Sequence, residues 1–155
     1  MAYEVKVREV VPQPVLSVRT RTSLAEIAAL MGAAFGEMFG YLCQAGAQPA
    51  GPPCSIFYDP EFREDDLDVE ICLPVDRPLP PQGRVQMGEL PGGTVAYTLH
   101  VGPYDAVGLA YQAVTTWIQE HGHETAGPPR ETYLNGPDEV KDPSEYRTEI
   151  IWPIR

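Results

Sequence analysis

Polar and apolar residues alternate along Glu4-Val5-Lys6-Val7-Arg8-Glu9-Val10, the period-two pattern of a half-buried strand. Pro12-Gln13-Pro14 is expected to interrupt pairing before a second strand over Val15 to Thr20. The period then lengthens. Leu24, Ile27, Ala28, Met31, Phe35, Met38 and Leu42 recur at the spacing of one helical face. Ser23 is expected to cap this helix, with Glu26 completing a capping box, and Gly46 to end it. Pro49 to Pro53 follows as a rigid loop. Cys54 to Tyr58 and Leu67 to Val75 read as strands on either side of a solvated acidic turn, Glu61 to Asp66. Arg84 to Leu90 and Thr94 to Val101 flank Pro91-Gly92-Gly93, a pattern that predicts a hairpin.

Gly102-Pro103-Tyr104-Asp105 is expected to open a second helix, with Asp105 as cap or first-turn acid. Its apolar face is Val107, Ala110, Tyr111, Val114, Trp117 and Ile118, and Gly122 stops it. Arg130 to Leu134 is the next strand, stopped by Asn135-Gly136-Pro137. The polar stretch Asp138 to Ser144 leads to the closing strand, Thr148 to Ile154.

Two of these strands are near-copies. Val69-Glu70-Ile71-Cys72-Leu73-Pro74-Val75 and Thr148-Glu149-Ile150-Ile151-Trp152-Pro153-Ile154 share the order Glu-Ile-x-x-Pro-aliphatic, half a chain length apart. Gly51-Pro52-Pro53 before Tyr58 likewise matches Gly127-Pro128-Pro129 before Tyr133. The agreement predicts a single α+β domain over residues 1–155, built from a duplicated β-α-β-β unit. The pseudo-repeat halves fall at roughly 1–80 and 81–155. The eight strands form one mostly antiparallel sheet with two long helices on one side. A groove where such halves meet is the expected ligand site.

Composition narrows the function. A 155-residue chain with 43% hydrophobic content can bury an ordinary core. A formal charge of −11 leaves no basic stripe for phosphates, so direct nucleic-acid binding is not expected. The long-range field favours cationic ligands. No apolar run is read as a membrane span and no signal pattern opens the chain, so a cytoplasmic protein without membrane contact is expected. Cys43, Cys54 and Cys72 are odd in number and widely spaced, and His100, His121 and His123 make no ligand pattern. No metal and no cofactor are expected.

The chain resembles the GyrI-like small-molecule-binding family, which includes the effector-binding domains of multidrug-responsive bacterial transcription regulators. The resemblance rests on His100-Val101-Gly102-Pro103-Tyr104, on the helix from Ala110-Tyr111 to Trp117-Ile118, on Gly127 to Leu134 and on Thr148 to Ile154. It implies the GyrI-like or SOUL-like fold, with an aromatic-walled pocket containing acids and suited to large, flat, lipophilic, often cationic compounds. The family's pocket glutamates map to Glu131 and Glu149. Regulator members carry a separate DNA-binding segment, and none is expected within this chain.

Beside the resemblance, the residues keep their own alternatives. Glu131 reads as a buried carboxylate for a ligand cation, or as a solvated strand acid. Glu149 reads the same way, or as a structural acid shared with its repeat mate Glu70. Tyr58, Tyr111 and Tyr133 offer faces for stacking and cation–π contact, or pack with their hydroxyls at a rim. Phe35 and Trp117 lie on apolar stripes that can be core, pocket wall or both. Trp152 is assigned to the core. Tyr104 is expected to shape the start of the second helix, with pocket contact open to it.

Two functions follow. One is a stand-alone binding domain that senses or sequesters lipophilic cations. The alternative is a hydrolase that opens reactive cyclopropane rings of DNA-alkylating natural products, with Glu131 and Glu149 as paired carboxylates and a tyrosine as proton donor. A protein partner, gyrase or a regulator, is a third possibility. Haem binding is disfavoured because no histidine is evidently placed in the pocket.

Overall fold

A computed structural model describes residues 3–59, 64–135 and 139–155. The expected turns at Glu61 to Asp66 and Asn135-Gly136-Pro137 fall partly on residues 60–63 and 136–138, outside the described residues. Among the described residues the strands are β1 (Lys6–Val10), β2 (Gln13–Thr22), β3 (Cys54–Phe57), β4 (Leu67–Pro74), β5 (Gln86–Leu90), β6 (Gly93–Val101), β7 (Arg130–Tyr133) and β8 (Arg147–Pro153). The helices are α1 (Ile27–Ala45) and α2 (Gly108–Glu120). The fold is α+β, with eight strands, antiparallel pairing and two helices.

Contacts divide the chain into two compact units, Pro12–Pro91 and Met1–Val11 with Gly92–Arg155. The first orders its strands β3-β4-β2-β5 and the second β7-β8-β6-β1. The expected hairpin at Pro91-Gly92-Gly93 does not form. β5 pairs with β2, and β6 pairs with β1 and β8. Turn chemistry signals a change of direction, but pairing goes to the strand whose apolar face completes the same core. β5 therefore belongs with the earlier residues rather than with those after 81. Pro12-Gln13-Pro14 also differs from expectation, since Gln13 and Pro14 already pair with Leu90 and Glu89.

In the unit Pro12–Pro91, α1 packs Ala34, Met38, Tyr41 and Leu42 onto Leu16, Val18, Val69, Ile71 and Leu73. Leu24, expected on that face, is 45% exposed. Ser23 does not cap α1. The N-cap is Glu26 without a side-chain bond, and Ser23 instead accepts from the Glu26 amide in a preceding turn. Gly46 closes the helix in the left-handed region, φ 65°, where glycine is favoured. By length and composition alone, the 19 residues of α1 are apolar enough to cross a membrane. That corrects the expectation that no run approaches such a span. The signal was diluted by alanines and glycines, each weakly apolar, with Glu37 the one charge in the run.

In the other unit, α2 lays Ala110, Val114 and Ile118 on Ala96, Ile150 and Ile154, with Tyr3 and Val5 packed at the side. α2 is not capped by Asp105. A 3-10 turn, Tyr104–Ala106, precedes it, and Val107 is its N-cap. Gly122 follows the helix at φ 72°.

Candidate functional site

Register decides which side chains can meet. β8 sets Ile150 opposite both Thr98 and Glu131, and Thr148 opposite both His100 and Tyr133. Glu131, Tyr133, His100, Thr148 and Ile150 therefore share the sheet face that α2 covers. Glu149 is one residue out of phase and points to the opposite face.

Glu131 is 8% exposed. It accepts hydrogen bonds from the Tyr111 hydroxyl at 2.7 Å and the Tyr133 hydroxyl at 3.2 Å. Among the described residues no lysine or arginine forms an ion pair with it. Burial pushes its carboxyl above the ordinary carboxylate range, while both hydroxyls and the field of His100 pull the other way. The Tyr111 phenol is held well up by burial, then by the adjacent carboxylate. Tyr104 is raised by burial, then by Tyr146 and Glu131. Its ring stacks on Tyr146 at 4.8 Å and meets Tyr133 edge-on at 5.8 Å. Two tyrosines thus bond the acid, and Tyr104, 38% exposed, extends the aromatic cluster from Tyr133 to Tyr146.

His100 anchors this cage from behind. The Pro103 carbonyl can only accept, so His100 Nε2–H donates to it at 2.9 Å. Nδ1 bonds the Tyr3 hydroxyl, also at 2.9 Å. Gly102, at φ 136°, lies within 3.7 Å of the imidazole where a Cβ would be, and its amide bonds the Tyr146 carbonyl. These contacts set the chain that carries Tyr104. Tyr111 presents its other edge to Trp152 at 6.1 Å. Both border an open concavity of about 660 Å³, lined also by Asp105, Leu109, Gln112 and Thr115.

Of the residues expected from sequence, the structure brings together Glu131, Tyr111 and Tyr133. It does not add Glu149, which makes a two-point ion pair with Arg8, at 2.7 and 3.2 Å, while the Arg8 guanidinium lies over Tyr97. The expected pair of carboxylates is not formed, because an odd register offset separates the two acids across the sheet. Trp117 packs at the α2 core and stacks on His121 and His123. Phe35 packs against the α1 core. Tyr58 donates to Glu70 and lies under Arg19, and burial raises its phenol first, Glu70 second. Tyr58 is also not the repeat mate of Tyr133. Phe57 pairs with Val69 as Tyr133 pairs with Thr148, and Ser55 pairs with Ile71 as Glu131 pairs with Ile150. Where one unit has Glu131 and Tyr133, the other has Ser55 and Phe57, with Ser55 directed at Met31.

Sequence reasoning missed Tyr146 and His100 in the cage and left Trp152 to the core. His100 and Tyr146 were findable, since the alternation that places Glu131 and Tyr133 on one face also assigns His100 to a face, and Tyr146 directly precedes β8. Trp152 shares its face with Ile150, so alternation alone leaves its second role open.

From residue 3 to residue 155 the sequence matches the family described as GyrI-like small molecule binding domain, and the chain belongs to that family. The EcmrR C-terminal domain is similar at 25% identity and TM-score 0.90, with 100% of this chain and 99% of that one covered. In the EcmrR–DNA complex the likeness has TM-score 0.90 and 24% identity, and the chain spans only 58% of the longer protein. A hydrolase encoded by lin2189 from Listeria innocua shares the fold at 12% identity, TM-score 0.74, covering 99% of this chain and 93% of that one. SAV2435, solved bound to tetraphenylphosphonium, shares it at 14% identity, TM-score 0.67, with 98% and 94% covered. Among curated proteins none matches the sequence.

Proposed function

We propose that this chain binds lipophilic organic cations at Glu131, as a sensing or sequestering domain working in the cytoplasm. The observation that carries the reading is a carboxylate under α2 whose hydrogen bonds come from two phenols. A buried acid with no ion pair to a lysine or arginine among the described residues is costly, and a ligand cation there gains both the charge and the aromatic faces. The bound state of SAV2435 is consistent with that ligand class. A net charge of −11 supports attraction of cations and argues against direct contact with nucleic acid. Titrating the protein with tetraphenylphosphonium should give saturable binding that weakens about tenfold or more in Glu131→Gln. Equal binding by the two proteins, or none by either, sinks the reading.

The hydrolase alternative draws on the fold shared with the Listeria protein. With Glu149 held by Arg8, it has to run on Glu131 alone, with Tyr111 as proton donor. Incubation with a cyclopropane-bearing alkylator and mass detection of a water adduct separates the two. Binding without an adduct leaves the binding domain.

A further inference from the structure

One polar atom at this site has no partner among the described residues. The Thr148 hydroxyl is fully buried, with no hydrogen-bond partner there. Its two cross-strand neighbours are His100 and Tyr133. His100 has both ring nitrogens engaged, with Tyr3 and Pro103, and the Tyr133 hydroxyl is turned to Glu131. A threonine hydroxyl left unsatisfied in a dry interior destabilises the fold relative to a bonded one. Valine has nearly the same shape without that cost, so packing alone does not call for threonine.

We propose that Thr148 is a specificity-determining residue of the Glu131 site, hydrogen-bonding an oxygen or nitrogen on the ligand. Thr148 is diagonal to Glu131 across β7 and β8, a spacing of roughly 7–8 Å between such positions. Tyr133 and Thr148 are direct cross-strand partners on the face that carries Glu131, so a ligand seated at Glu131 in place of the Tyr133 hydroxyl would lie beside Thr148. The ligand class is thereby sharpened, to a lipophilic cation carrying one hydrogen-bonding group at about that distance from its charge. The hydroxyl both donates and accepts, so either polarity fits. The inference rests on the proposed function above.

The test is a matched pair of probes, tetraphenylphosphonium and its analogue with one para-hydroxyl on a phenyl ring. Wild type should prefer the hydroxylated probe by about two- to tenfold, the range of one net hydrogen bond. Thr148→Val should remove the preference. Thr148→Ser should restore the preference, which a role in shape alone does not predict. Thr148→Val should also raise Tm, because an unsatisfied group is removed. A preference that is absent in wild type, or that survives in Thr148→Val, overturns the inference. A lower Tm in Thr148→Val overturns it as well. If both probes bind, and Glu131→Gln weakens both without any hydroxyl preference, this inference alone fails. If neither binds, the Glu131 reading falls and takes this one with it.

Discussion

The proposed binding at Glu131 predicts a cost in the free protein and a gain in the bound one, and the two effects can be measured on one substitution. The folded pKa of Glu131 is raised by burial, so the folded state holds the proton more tightly than the unfolded chain. The stability linked to that proton is fully present below the ordinary value of 4.5 and is lost as pH rises through the folded value. Glu131→Gln should therefore be more stable than wild type at neutral pH, by roughly 1 kcal/mol. The Tm difference between the two should shrink toward zero as pH falls below 4.5. A permanent cation favours the ionised acid, so wild-type affinity should fall as pH drops through the raised value. Calorimetry in buffers of different ionisation enthalpy should detect a proton released on binding. Substitution at Glu149 should change stability in the opposite direction. Its partner Arg8 is about a third exposed, so the pair is worth about 1 kcal/mol or less, and Glu149→Gln should lower Tm slightly while phosphonium affinity stays within about twofold. The two acids looked alike in sequence because both sit among β-formers. Alternation within β8 was legible, but which face α2 covers depends on pairing between strands far apart in the chain.

At the scale of elements, α1 carries two kinds of glycine with opposite expected responses. Gly46 sits at φ 65°, where a Cβ is strained. Gly36 has helical neighbours on both sides and nothing within 4 Å of an added Cβ. Gly46→Ala should destabilise by about 1 kcal/mol, and Gly36→Ala should stabilise by about the same amount through helix propensity. Chemical denaturation of the two variants checks both signs at once, and a matching sign would show that the backbone at one position is misassigned. Helix stops such as Gly46 and Gly122 were legible because they depend on a local backbone requirement. The Ser23 cap and the Pro91-Gly92-Gly93 hairpin were not, since each competes with longer-range bonding. Ser23 is used in a turn before α1, and β5 and β6 find partners 69 or more residues away in β2 and β1.

Across the whole molecule, duplication supplies two similar units while the polar chemistry is kept in one. Ser55 and Phe57 occupy the strand positions that Glu131 and Tyr133 occupy in the other, so neither the acid nor the phenol is repeated at those positions. The repeat was legible from Glu70 and Glu149, which identify equivalent strands, yet those acids mark the face away from the helix in both. The field of the whole chain adds a second layer. Eleven net negative charges attract a cation over roughly a Debye length, about 10 Å at 0.1 M salt, whereas contacts to Glu131 lie in the interior and are screened far less. The two layers separate kinetically. Raising salt from about 20 mM to about 300 mM should slow phosphonium association by roughly two- to tenfold and leave dissociation nearly constant. In Glu131→Gln, dissociation should be faster at every salt concentration while the salt dependence of association persists, because removing one buried charge leaves ten of the eleven net charges outside it in place. Stopped-flow traces at four salt concentrations distinguish this from a site whose affinity is set by surface charge, in which salt would change the dissociation rate as well.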